Sequence, residues 1–341
     1  KKEKKEKKDR YATFWKEFGK NLKLGVLEDS ANKSKLARLL RFQTTKSKGK
    51  EISLDKYVAR MKSWQDDIYY IAGESLEELE HSAFLERMRH KDIEVLLLTD
   101  PVDEYVMQNL IEYEDHRLQS VTKEGLRFGD ESDHDRRREE AYKKAFTPLA
   151  DWLKEVYGDA VEKVTVSNRV TNSPAVLVTS QFGYSANMER IMRNQAFSDQ
   201  RRSAFLTSRK IMEINPRHPI IAELKERSVE APEDEEARNL ARLLLDVSLL
   251  NSGFDIQDVK EFSSRMLKFM ASGLSLESME LLPEMEVPEE EEDEEEEMDM
   301  DEMSELEEEE DAFDDAEATL EQLDEVLGEE EGEEEEEKDE L

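Results

Sequence analysis

The chain has 341 residues, a formal charge of −37 and no cysteine. Residues 284–341 hold 36 of the 86 acidic residues and one of the 49 basic ones, which leaves 50 acids against 48 bases in residues 1–283. A near-neutral body with a polyanionic tail has no basic footprint for nucleic acid. Without cysteine there is no disulfide framework, thiol catalysis or cysteine-ligated zinc, and no run reaches the ~18 apolar residues of a membrane span.

In chain order, Tyr11, Phe14, Trp15, Phe18, Leu22 and Val26 recur at three- and four-residue steps, which predicts a helix with these groups on its core face. A second helix is expected over 32–42, with Leu36, Leu39 and Leu40 inward, and a third after the cap Ser53. The runs 67–73 and 94–99 read as strands, each followed by a helix: one from Ser75, one over 102–110. Apolar strands alternating with helices indicate a parallel sheet covered on both faces. Residues 1–127 are therefore expected to be α/β.

Residues 128–140 are charged and short of apolar groups, so they are read as a linker. Beyond them Tyr142, Phe146, Leu149, Trp152, Leu153 and Val156 predict a helix. The alternating run 161–166 predicts a strand, with 175–178 as its antiparallel neighbour, and helix dominates from there to Gly273. Residues 141–280 are thus α+β and mainly helical. Leu240, Leu243, Leu244, Val247 and Leu250 line one late helix; Val259, Phe262, Met266 and Met270 line the next. These stripes either pack on their own domain or meet a symmetry mate in a four-helix bundle.

The tail over 281–341 is low in complexity and expected to be disordered. Within it Phe313, Ala316, Leu320, Leu323 and Leu327 have the spacing of a short amphipathic helix. The chain ends in Lys338-Asp339-Glu340-Leu341, the retrieval address of the endoplasmic-reticulum lumen, which implies a retrieval receptor as a partner. A lumenal protein needs a signal peptide, and the opening Lys1-Lys2-Glu3-Lys4-Lys5 is not one. Further residues are therefore expected upstream. Asn32-Lys33-Ser34 is a glycosylation sequon in that setting.

No active site emerges. Neither GxxxxGK[ST] nor GxGxxG occurs, the five histidines lack partners at ligand spacing, and the carboxylates are too many to be informative. A different pattern stands out at 184–193. Ser185 caps a predicted helix that sets Met188 and Met192 one turn apart, with Tyr184 at its mouth, and Phe197, Phe205, Leu206 and Met212 follow. Flexible and aromatic side chains suit a surface that accepts many shapes.

The runs 14–25, 69–74, 100–105, 185–192 and 213–219 resemble the ninety-kilodalton heat-shock chaperone family, in the family's order, over residues 10 to 275. The acidic tail and terminal signal resemble its endoplasmic-reticulum paralogue. The resemblance implies the later part of the family's middle domain over 1–127 and its C-terminal dimerisation domain over 141–280. It implies a homodimer through Leu240, Leu244, Val247, Phe262, Met266 and Met270. It also implies client contacts at Tyr184, Asn187, Met188, Phe205 and Leu206, to which spacing adds Met192. The family often has Trp at position 184; Tyr184 keeps an aromatic ring with a polar tip.

The family's ATP-binding domain, and the middle-domain loop whose Arg reaches the γ-phosphate, both precede these residues. ATP and magnesium are thus implied only for a full-length member, and this chain is expected to hold partly folded clients without ATPase activity. The alternative is a lumenal scaffold whose acidic tail buffers calcium weakly, carboxylates being hard oxygen ligands.

Overall fold

The computed structural model describes residues 2–195, 209–276 and 278–285. Residues Lys1–Met279 form one compact unit and Glu280–Leu341 another, of which residues 280–285 carry no regular element. The first unit mixes α and β. It opens with α1 (Lys2–Glu28), α2 (Lys33–Ala37), β1 (Gln43–Thr44), α3 (Leu54–Val58) and β2 (Ile68–Ala72). Next come α4 (Leu76–His81), α5 (Glu86–His90), β3 (Leu96–Leu98), α6 (Pro101–Asn109), β4 (Glu112–Tyr113) and β5 (His116–Ser120).

These strands form a five-stranded sheet in the order β1-β3-β2-β5-β4, with a parallel centre and antiparallel edges. Tyr70 faces Leu96 across β2 and β3, and Ile68 faces Leu118 across β2 and β5. All three residues of β3 are buried, and apolar clusters pack against both faces of the sheet. Serine or aspartate caps mark the helix starts: Ser53, Ser75 and Asp100 accept the N–H of Lys56, Glu78 and Val102.

Helix α1 corrects one expectation. Trp15 and Val26 are buried, but Phe14 and Phe18 stay exposed and stack on each other with ring centroids 5.3 Å apart. Phe14 lies about 100° and Phe18 about 60° around the helix from Trp15, to the same side and beyond the stripe that meets the core. On the inner side Lys23 is buried beneath α6, its Nζ 2.8 Å from Asp103 and 3.3 Å from Asp100. The second helix is also shorter than expected. It ends at Ala37, and Phe42 instead bridges to Ile52.

The second half begins with α7 (Asp133–Tyr157), followed by β6 (Lys163–Val166), β7 (Ala175–Thr179) and α8 (Ala186–Gln195). It ends with β8 (Lys210–Ile214), α9 (Pro219–Glu230), α10 (Glu235–Asn251) and α11 (Val259–Gly273). Residues 133–140, read as a linker, are helical and form the first turns of α7. Ser132 and Asp135 form a reciprocal capping box there, which lets a polar segment start a helix. Phe128 just before it is buried, and Gly129 sits so close to Trp64 that a Cβ would lie 2.2 Å from its carbonyl oxygen.

The expected β6–β7 hairpin is absent. Strand β8 lies between the two, parallel to β6 and antiparallel to β7. β8 is buried throughout, its charged Lys210 and Glu213 included, because each meets an opposite charge. Arg169 clamps this sheet to the first one. Fully buried, it donates to both oxygens of Glu213 at 2.7 and 2.8 Å and to the carbonyls of Val121 and Lys123. Glu86 adds a second clamp, accepting the N–H groups of Thr171, Asn172 and Ser173. Burial raises its pKa, but these hydrogen bonds and that of the Ser173 hydroxyl outweigh it and hold the carboxyl below its usual range.

Candidate functional site

Helix α8 carries the residues first singled out for client contact. The Ser185 hydroxyl accepts the N–H of Met188 at 3.0 Å, which makes it the expected cap. It also donates to the buried carboxylate of Glu104 on α6 at 2.6 Å, and the Asn187 amide reaches the same oxygen at 3.2 Å. Arg190 donates to Asn187 and pairs with Glu74 at 3.2 Å, while Glu189 meets Lys210 at 3.4 Å. The Lys210 ammonium lies 4.5 Å from the centre of the Phe254 ring. A charged, hydrogen-bonded underside thus fixes α8 to both halves of the unit.

That arrangement divides the predicted contact residues. Met188 is 1% exposed and Asn187 is buried, so both serve to seat the helix. Tyr184 and Met192 are half-buried and reachable from solvent. Phe205 and Leu206 lie outside the described residues. Among the described residues the most exposed large apolar one is Phe182, at 99%, held out on the turn between β7 and α8. The Gly183 N–H donates to the Ser180 carbonyl to close that turn, and Lys123 Nζ donates to the Gln181 carbonyl at 2.8 Å. Periodicity could not find Phe182, because a turn has no period. The one sequence signal is an aromatic residue among Ser, Gln and Gly, where turns are otherwise polar.

The second candidate surface is the pair α10 and α11. Leu244 is 7% exposed and belongs to the core of the second half, and Leu240 packs against that core. Leu244 is thus buried within the chain, and Leu240 is half-buried. The inner face of α10 is completed by Ala237, Ala241 and Ser248, small residues that a scan for bulky apolar groups passes over. Val247 and Leu250 point outward. Helix α11 has no buried residue at all. Phe262 and Met266 are half-buried, while Val259, Leu267, Phe269 and Met270 are exposed. Its polar side is tethered: Arg265 pairs with Asp246 at 2.8 Å and with Glu261 at 2.9 Å, and Asp258 caps the helix.

Three of the five histidines have structural partners. His81 and His116 hydrogen-bond to the carbonyls of Glu77 and Asp66, and His218 Nδ1 caps α9 by accepting the N–H of Ile220. Residues 338–341 and the spaced apolar groups at 313–327 lie outside the described residues.

The family profile described as Hsp90 protein matches residues 1–303. The chain is 49% identical over 286 residues to an endoplasmin homologue of Catharanthus roseus, which covers 84% of this chain and 34% of that protein. It is 50% identical over 272 residues to the endoplasmin homologue of Arabidopsis thaliana, covering 80% of this chain and 32% of the relative. Heat shock protein 83 of Leishmania donovani is 48% identical over 285 residues, 83% of this chain and 63% of that protein. The chain therefore spans about a third of the length of its plant relatives. These likenesses, on a mixed α/β scaffold with the matching motifs in order, establish that the chain belongs to the Hsp90 family.

Proposed function

We propose that this chain is the dimerising, client-holding part of an endoplasmic-reticulum chaperone of the Hsp90 family, and that it holds clients without hydrolysing ATP. The observation that carries this reading is α11, an amphipathic helix tethered on its polar side with no apolar residue buried. An isolated helical hairpin leaves such a face in water, whereas a second copy covers it in a four-helix bundle. Of the six residues first assigned to the dimer contact, Val247, Phe262, Met266 and Met270 remain in it; Leu267 and Phe269 join them.

Client binding is assigned to the rim formed by Phe182, Tyr184 and Met192, next to the buried Met188. Aromatic and methionine side chains held on a polar scaffold make adaptable contacts with exposed apolar segments. The lumenal placement rests on the endoplasmin-type relatives together with the terminal Lys338-Asp339-Glu340-Leu341. Weak calcium binding by the acidic tail fits beside this reading as a property of residues 284–341.

In this reading ATP and magnesium act only in a full-length member of the family, and no step of the client holding proposed for this chain runs through them. The test is suppression of aggregation of a thermally unfolding client by the full chain. The expected result is protection that is unchanged by ATP and clearly weaker in Phe182→Ser with Tyr184→Ser. Equal protection by wild type and double variant would remove the assignment of this rim.

A further inference from the structure

We infer that a cleft at the start of α7 binds a carboxylate carried beside an apolar side chain, as on a partner peptide. The cleft has a volume of about 470 Å³ and is walled by α5, the first half of α7 and the residues that follow β6 and β8. Strands β6 and β8 run parallel and end together at the Val166–Ile214 pair. Ligands of parallel sheets sit beyond the carboxyl ends of the strands, where loops replace the ladder.

Charge decides what the cleft takes. Four carboxylates line it, and each is already engaged. Asp130 pairs with Lys91, Asp135 with Arg138 at 2.6 Å, and Glu139 with Lys143 at 2.6 Å. Glu131 accepts the N–H groups of Phe128 and Gly129 at 2.8 and 3.1 Å. Arg87 and Arg217 also line the cleft, and among the described residues neither guanidinium has a carboxylate partner. The Nε of Arg87 is buried with no hydrogen-bond acceptor.

An unsatisfied buried donor on a cation is a standing cost that a seated oxyanion removes. The surrounding acids repel a ligand with several negative charges, and Phe128, Tyr142 and Val170 supply apolar wall. A single carboxylate next to an apolar group satisfies all of these features.

The experiment is calorimetric titration of the full chain with N-acetylphenylalanine, with its neutral amide and with inorganic phosphate. Saturable binding of the acid is expected. It should weaken by about tenfold for the amide and by about tenfold in Arg217→Ala, each losing a charge-assisted hydrogen-bond partner. Because Arg217 is exposed, that variant keeps its fold; thermal unfolding checks this, and Arg87→Lys gives an independent second loss. No saturable binding, equal binding of acid and amide, or unchanged affinity in a folded Arg217→Ala each overturns the proposal. Stoichiometric displacement of the acid by phosphate overturns the assignment to a monoanion.

Discussion

Burial and pairing pull against each other at Asp103. Its carboxyl lies beneath α1, 2.8 Å from Lys23, yet burial outweighs that cation and pushes its pKa from 3.8 up to about 6. The native state therefore binds this proton more tightly than the unfolded chain. The stability it contributes is full below about pH 4 and is lost as pH rises through about 6, a change of roughly 2–3 kcal/mol. Asp103→Asn should flatten the stability profile between pH 4 and 7 by that amount, as read by urea unfolding at several pH values. Parallel profiles for the two proteins would contradict this.

Arg169 is the other residue whose surroundings set its value. Replacing it with Leu leaves Glu213 buried and uncompensated, which should cost about 3–5 kcal/mol. Arg169→Leu with Glu213→Leu removes both charges and should recover part of that loss. An exposed partner would show neither effect.

At the scale of elements, local signals were readable and distant ones were not. The caps Ser53 and Ser185 and the helix start at Ser75 stand where the sequence places them, and the apolar spacing of α7 matches its buried face. Strand β8 escaped notice because Lys210 and Glu213 break its apolar run. Their partners, Glu189 and Arg169, lie 21 and 44 residues away. Strand β5 reads His-Arg-Leu-Gln-Ser and is defined only by its pairing with β2.

The candidate site shows the same division. Spacing put Met188 and Met192 on one helix but could not say that Glu104 and Glu74 would seat it with Met188 inward. For α10, spacing left the stripe with Leu244 either on its own core or against a second copy, and the resemblance assigned it to the dimer; Ala237, Ala241 and Ser248 share its face and turn it to the core. Leu244→Asp should accordingly destabilise the fold by several kcal/mol, since it buries a carboxylate among apolar groups. Thermal unfolding separates this from a loss of association. A substitution at Phe182, nearly fully exposed, should shift stability by less than about 0.5 kcal/mol.

For the whole molecule, the family was legible in the long motif runs and the near-neutral body with its acidic tail was legible in the charge count. What the sequence left open was how the late apolar stripes divide between the core and a second copy. The structure assigns Leu244 inward and leaves the apolar side of α11 uncovered. Deleting residues 284–341 should abolish most weak calcium uptake, measured by equilibrium dialysis, and leave aggregation suppression intact. The central claim is that α11 joins two copies, and sedimentation velocity of wild type against Leu267→Asp with Met270→Asp tests it most directly. The account predicts a dimer for the wild type and a folded monomer for the variant; a dimer that persists in the variant would contradict it.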